Sequence, residues 1–388
     1  MISKSRYITP VYRGRGLGRK RRRQRKFFYI MLSVLIILCF ILMAYSRQES
    51  IMGIFRTPID APKKFSAEQI DTGEFTFKWS AVKGAKGYVI YKYNKKTDKY
   101  DTVKKLSNKA KSFTAKIDKN ARYSIKSYKR SMNEDVYSEN YTYCKLKTIS
   151  DMIEIVGHRG AMDKAPENTL VSYKLAHEIG YKGFETDYWE TYSNELIISH
   201  GKDISPATGI YENVKNLTID SLHDYPVVRG INVDKYATQY MPAFEEAIQS
   251  AARYKMNIYL HTKNVEISDT AVEKIVSVIK KYNMQKKATV FSANRDVFLK
   301  LKEHNLRTGF LILPQSGWDI RGAIDFAGKN KADVLIMHYT KYLKKKHLRE
   351  AHKYNIKVGC YDTSNLKAAF KMVDFDMDFM ITNKDFIS

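Results

Sequence analysis

Apolar residues along this chain fall into three regimes. Over residues 27–45 (FFYIMLSVLIILCFILMAY) they run without a charge, and about 19 such residues suit one membrane-spanning helix. Over residues 75–128 they alternate with polar positions. Segments 75–79, 88–93, 113–117 and 123–128 read as strands, with a turn at Gly84 and Gly87. Short strands at this spacing predict a small β-sandwich over residues 58–148, opened by Pro58 and Pro62 after a linker at 46–57. From Ile153 onward, short continuous apolar runs alternate with helical periods, the pattern of an α/β fold with parallel strands. Eight strands are expected, at 153–157, 183–187, 257–261, 288–291, 308–313, 334–337, 357–361 and 379–382. Helices are clearest at 270–282 and 295–303. Eight such units in about 235 residues predict a TIM-type (β/α)8 barrel over residues 152–388, with its active site where the strands end.

Charge divides the chain along the same lines. The net charge is +26, yet residues 1–26 alone hold eleven Lys or Arg and no acid. That tail (RGRGLGRKRRRQRK) has no core to bury and is expected to be disordered. Its place directly before the apolar run predicts an N-terminus in the cytoplasm and the rest of the chain outside the cell, held by a single-pass anchor. A cleaved signal sequence is the alternative, with Ala44-Tyr45-Ser46 as a weak cleavage site, but the run exceeds the usual ~7–15 apolar residues. Residues 27–150 add +12 and the barrel region only +3. A basic excess so far from the barrel argues against nucleic-acid binding. The lysines of 58–148 form a solvated face or rest on anionic lipid or wall polymer, a salt-sensitive attraction. Cys39, Cys144 and Cys360 are too few and scattered for a disulfide framework, and free thiols are expected.

The candidate chemistry lies between residues 155 and 203. His158-Arg159-Gly160 follows the first barrel strand, and Glu185-Thr186-Asp187 belongs to the second. Residues two apart on a strand share a side, so both carboxylates face one space. His200 follows the apolar run 196–198. Two histidines, an arginine and a carboxylate pair make a phosphoryl-transfer site. The carboxylates hold a hard cation, the arginine grips a phosphate oxygen, and the histidines exchange protons near neutral pH. Pro166-Glu167-Asn168-Thr169 reads as a helix start whose N–H groups can face an anion.

These residues resemble the signature of the glycerophosphodiester phosphodiesterases: His-Arg-Gly, Pro-Glu-Asn-Thr, Glu-x-Asp, then His-Asp. Here it stands as His158-Arg159-Gly160, Pro166 to Thr169, Glu185-x-Asp187 and His200-Gly201, and the likeness runs from about Ile153 to the end. The resemblance implies hydrolysis of a glycerophosphodiester to glycerol phosphate and an alcohol, by way of a cyclic phosphate. It makes His158 and His200 the catalytic acid and base. Arg159 and Lys263 would hold the phosphate, with Glu167 and Asn168 shaping the substrate site. Glu185, Asp187 and a third-strand carboxylate would hold one divalent ion, calcium or magnesium. Two positions depart. His261 stands where that third carboxylate is expected, which favours manganese or zinc. Gly201 replaces the aspartate after the second histidine, and whether Asp203 substitutes for it is open. Trp189, Trp318 and Tyr361 either line the pocket or fill the core. Trp79, Gly87-Tyr88 and Tyr123 give the preceding segment a likeness to fibronectin type III domains. The expected protein is a membrane-anchored extracellular enzyme acting on deacylated phospholipid, lysophospholipid or glycerol-phosphate polymer. The alternative is an inactive barrel that binds anionic lipid or wall polymer at the cell surface.

Overall fold

The computed structural model describes residues 17–55, 59–71, 73–131, 133–313, 319–338, 343–363, 365–385 and 387. It divides into two compact units, one of Met1–Phe65, Trp79–Lys111 and Arg122–Cys144, the other of Ser66–Lys78, Ser112–Ala121 and Lys145–Ser388. No disulfide forms among the described residues.

The first unit holds a helix, Leu17–Phe55, and a five-stranded antiparallel sheet. The helix is long and apolar enough over Arg22–Arg47 to cross a membrane or to serve as a signal sequence. It begins ten residues inside the basic tail and runs on to Phe55, so part of the tail and most of the expected linker are helical. Lys and Arg have good helix propensity, and an apolar helix already nucleated extends into such flanks at little cost. The sheet runs Lys99–Ser107, Gly87–Asn94, Tyr123–Ser131 and Glu134–Tyr137, with Thr142–Tyr143 also paired to Tyr123–Ser131. Gly87 is required by close approach, because a Cβ there would lie 2.1 Å from the Leu106 carbonyl oxygen. Lys99–Ser107 has no apolar alternation to betray it, since it is an edge strand with its residues mostly exposed.

The second unit contains a four-stranded sheet, ordered Ser112–Lys116, Glu74–Trp79, Phe65–Asp71 and Lys145–Lys147. The segment 58–148, read as one sandwich, thus supplies both sheets. The larger part is a closed barrel of eight parallel strands: β1 Glu154–Gly157, β2 Gly183–Glu190, β3 Asn257–Thr262, β4 Ala288–Ser292, β5 Thr308–Ile312, β6 Val334–His338, β7 Lys357–Thr363 and β8 Phe379–Thr382. Pairing of β1 with both β2 and β8 closes it. Outside lie α1 Leu170–Ile179, α2 Phe244–Tyr254, α3 Asp269–Lys281, α4 Arg295–Glu303, α5 Ile320–Lys329, α6 Lys345–His352 and α7 Leu366–Asp374. Each buries a stripe at helical spacing, as with Ala271, Val272, Ile275 and Ile279 of α3. Thr169, Ser268, Asn294, Asp319 and Asn365 cap helix starts with their side chains. The barrel strands have both faces covered, which is why they read as continuous apolar runs.

A second, smaller core fills the barrel interior with Val156, Tyr259, Phe291, Leu311, Val334, Ile336, Phe379 and Ile381. Phe379 stacks on Tyr259 at 4.7 Å, and its ring lies over its cross-strand partner Gly359. The strand Leu196–Ile198 is not a barrel stave. It pairs antiparallel with the end of β2 and so lengthens it into a hairpin. The chain then makes an excursion with a core of its own, Ile197, Ile204, Val214, Leu217, Leu222, Val227 and Met241, before α2.

A Cβ at Gly359 would lie 2.0 Å from the Phe379 ring. Gly359→Ala should therefore overpack the interior and destabilise the protein by about 1–3 kcal/mol, seen as a lowered urea midpoint. An unchanged midpoint would show that the ring has room to move.

Candidate active site

The residues singled out from the sequence converge at the mouth of the barrel. Their positions follow from register. In the β2–β3 ladder, Asp187 sits opposite His261, and His261 in turn sits opposite Phe291 of β4. Glu185 and Asp187 point the same way from β2, inside the strand rather than at its end. His158 follows β1, and its N–H donates to the carbonyl of Thr382 at the end of β8. The turn after β1 carries positive φ at Arg159 (51°) and Gly160 (82°). A Cβ at Gly160 would lie 2.3 Å from Ser172 Oγ of α1, so only glycine fits. That turn aims the Arg159 N–H at Glu185 Oε2, 3.1 Å away.

A cavity of about 160 Å³ is lined by His158, Arg159, Glu185, Asp187, His200, His261 and Lys263 on its polar side. Phe291, Leu311, Leu313, Ile336, Tyr361 and Ile381 form its apolar floor and wall. His200 and Glu167 also line a neighbouring groove of about 320 Å³ with Met162, Gly201, Asp203 and Arg229. His200 therefore stands where the two spaces meet.

Asp187 is the most heavily contacted group. Its Oδ1 accepts from His261 Nδ1 at 3.0 Å and lies 3.6 Å from Lys263 Nζ. Its Oδ2 lies 3.2 Å from Arg159 Nε, without hydrogen-bond geometry, and 3.4 Å from Asn168 Nδ2. Arg159 Nη1 donates to both oxygens of Glu167 at 2.9 Å. His158 Nδ1 meets Asn383 Oδ1 at 2.5 Å, and its Nε2 lies 3.7 Å from Glu185 Oε2. The His261 ring stacks flat on Phe291 at 4.7 Å, which fixes its plane.

Burial alone would push the Asp187 pKa up. The hydrogen bond and charge of His261, then the charges of Lys263 and Arg159, outweigh it and hold this carboxyl well below the usual range. Glu185 goes the other way. Burial, then the charge of Asp187, holds it well above the usual range despite Arg159. Burial and then the Arg159 charge push His158 down to about 4. Burial likewise lowers His200 and His261. At neutral pH the histidines are thus neutral imidazoles. With Asp187 ionised, Nδ1 of His261 carries the proton, which leaves a lone pair on Nε2.

Glu185, Asp187 and His261 present ligand atoms that all lie within 4.8 Å of one another. Two buried carboxylates and an imidazole lone pair fit a divalent cation, and the nitrogen donor suits manganese or zinc better than calcium.

Not every expected residue reaches the cavity. Glu167 lies on the groove side, clamped by Arg159. Asn168, with φ of 54°, is buried behind the site. Its Oδ1 accepts from Thr186 Oγ1 at 2.9 Å, and Thr186 Oγ1 meets the Tyr173 hydroxyl at 2.7 Å. Asp203 turns its carboxylate to the N–H and hydroxyl of Ser205 at 2.8 and 2.7 Å, so it is spent on the loop. Trp189 packs in the excursion's core, Tyr361 lines the cavity, and Trp318 lies outside the described residues. Asn383 and Phe291 were not expected to have roles at the site. Both follow the rule that marked His158, since Asn383 comes just after β8 and Phe291 near the end of β4.

The arrangement defines a class, a β/α barrel whose mouth sets an arginine and a lysine beside two buried acids and a histidine that could hold a metal ion. Residues 158–384 match the glycerophosphoryl diester phosphodiesterase family, more than half of the chain, and the chain belongs to that family. A glycerophosphodiester phosphodiesterase of Caldanaerobacter subterraneus subsp. tengcongensis is 27% identical over 163 residues, 40% of this chain and 65% of that one. A Bacillus subtilis (strain 168) protein of the same name is 26% identical over 141 residues, 34% of this chain and 48% of that one. The chain thus spans about half to two thirds of the length of the first curated relatives it matches. In fold it is similar to the crystal structure of a glycerophosphodiester phosphodiesterase from Agrobacterium tumefaciens, with TM-score 0.52, 17% identity and 61% of this chain and 98% of that one covered. An Oleispira antarctica phosphodiesterase, solved with the product sn-glycerol-3-phosphate, has TM-score 0.52 and 19% identity over 62% of this chain and 96% of that one.

Because the Glu185 carboxyl is raised, the folded metal-free protein holds a proton there that the unfolded chain releases. Stability is therefore lost as pH rises from the unfolded value toward the raised folded one. Glu185→Gln removes that loss. Without metal, its thermal midpoint should exceed that of the unaltered protein at neutral pH and converge with it near pH 4, about the unfolded glutamate pKa. A midpoint no higher at neutral pH would contradict this.

Proposed function

We propose that the protein hydrolyses glycerophosphodiesters to glycerol phosphate and an alcohol. The observation that carries the reading is the convergence of His158, Arg159, Glu185, Asp187, His200, His261 and Lys263 on one cavity. Arg159 and Lys263 place positive charge where a phosphate would sit and where charge builds in the transition state. His158, held neutral by burial, accepts the proton of the attacking hydroxyl, which on a glycerol substrate is the neighbouring hydroxyl, and the cyclic phosphate left when the alcohol departs is opened by water to glycerol phosphate. His200, between cavity and groove, faces the leaving alcohol and, once it has taken up a proton as imidazolium, donates it to that alcohol. Asn383 orients the His158 ring, and Phe291 the His261 ring. Glu167 fixes Arg159, while Asn168 acts through Thr186 and Asp187. Glu185, Asp187 and His261 would hold one divalent ion, which when bound offsets charge on the phosphoryl oxygens.

The setting belongs to the same proposal. The helix over Arg22–Arg47 serves as a single-pass anchor with the basic tail, residues 1–26, in the cytoplasm. A fibronectin-like spacer over 58–148 then carries the barrel, residues 152–388, outside the cell. Substrates in reach there are lysophospholipids and glycerol-phosphate polymers, besides deacylated phospholipids. One observation favours the rival reading of an inactive binding barrel: Arg159, His261 and Lys263 already surround Asp187, so the charges are balanced without an ion.

Turnover of glycerophosphodiesters separates the two readings. The protein should release glycerol phosphate only with a divalent ion, with manganese or zinc above calcium. His158→Ala should lower the rate by about 10²–10⁴-fold, and His261→Glu should move the preference toward calcium or magnesium. A folded protein that turns over no diester with any of these ions would be a binding module.

A further inference from the structure

The five-stranded sheet of the first unit carries a track of tyrosines and cations that the barrel chemistry does not use. Strand alternation puts Tyr91 and Tyr93 on one face. Tyr100, opposite Tyr93, and Lys126, opposite Val89, share that face. Ring centroids step from Tyr93 to Tyr100 at 5.4 Å, to Tyr141 at 4.6 Å, and to Tyr91 at 5.5 Å. Three cations sit on rings: Arg122 4.0 Å from Tyr93, Lys126 4.3 Å from Tyr141, and Lys105 4.6 Å from Tyr128. Tyr143 stands at the edge, 60% exposed.

We propose that this face binds a linear polyanion of phosphodiester-linked polyol units, at a site separate from the barrel cavity. Charge complementarity gives the sign, since residues 27–150 carry +12. The acids within reach do not reverse it. Asp135 is paired with Lys105 and Arg130, and Asp98 accepts from the Tyr93 hydroxyl. Arg122 covers a face of Tyr93, Lys126 a face of Tyr141, and Tyr100 stacks on Tyr141, which leaves little ring surface beyond the exposed Tyr143 for nucleobases, which bind single-strand readers by stacking. Along the rings stand the Arg122 guanidinium and the Lys126 ammonium, N–H donors for phosphate and hydroxyl oxygens. A bilayer is a poorer occupant. Among the described residues of 59–148 the exposed large apolar side chains are Ile70 and Tyr143, which offer no apolar wedge for hydrocarbon. A row of tyrosines with cations along it matches a chain with regularly spaced phosphates.

The test is calorimetric titration of the full-length protein in detergent micelles with poly(glycerol phosphate), in a His158→Ala background so that the probe stays intact. Binding should be saturable, should weaken as salt is raised, and should be absent for neutral dextran. Arg122→Gln with Lys126→Gln should weaken it by about tenfold or more, as loss of central anchoring contacts does. Tyr143→Ala, at an exposed ring whose hydroxyl bonds Tyr100, should weaken it as well. Unchanged affinity in both variants would overturn the proposal. So would tighter binding of single-stranded RNA, or of phosphatidylglycerol nanodiscs, than of the polymer. Hydrolysis by the unaltered protein is a separate readout, and its absence leaves this binding result standing.

Discussion

Asp187 is 1% exposed and Glu185 2%, and a carboxylate ionised in such a place needs donors around it. Hydrogen-bond donors and positive charges reach Asp187 from three separate stretches of chain: Arg159 after β1, Asn168 before α1, and His261 with Lys263 at the end of β3. None is near Asp187 until β1, β2 and β3 lie side by side. Pairing of β1, β2 and β3 and charge satisfaction at Asp187 are therefore one event. The same pairing creates the contrast between the two acids, because donors crowd Asp187 while Glu185 receives mainly the Arg159 N–H.

Rigid support extends outward from this pair. His158 is held from β8 through Thr382 and Asn383, so the first and last strands share in placing one side chain of the cavity. His261 is flattened against Phe291, which belongs to the interior core that also contains Tyr259 and Phe379. Glu185, Asp187 and His261 thus sit on strands, His158, Arg159 and Lys263 directly follow them, and the excursion after β2 brings His200 to the groove. Placing chemistry on strands limits its freedom, as positioning over ångström distances requires.

Much of this was legible in the sequence for a physical reason. Strands covered on both faces must be apolar throughout, so all eight staves announced themselves, with β2 extended beyond its expected end by the Leu196–Ile198 hairpin. His158, Glu185, Asp187 and His261 were legible because strand position dictates where side chains meet. Other features were hidden. Lys99–Ser107 is an exposed edge strand, and its composition is that of a loop. Asn168 reads as a helix start, and only the folded chain shows its amide holding Thr186 and Asp187. The apolar lining contributed by Leu311, Ile336 and Ile381 could not be told from ordinary core, since both need the same residues.

One measurement bears most directly on the buried carboxylate pair as the heart of a phosphodiesterase site. Crystals grown with manganese would be measured at a wavelength where that ion scatters anomalously. A single anomalous peak bonded to Glu185, Asp187 and His261 is the expected result, with the Lys263 ammonium displaced from Asp187. Manganese found elsewhere, with Asp187 still enclosed by Arg159, His261 and Lys263, would contradict it and leave a barrel whose charges balance one another without an ion.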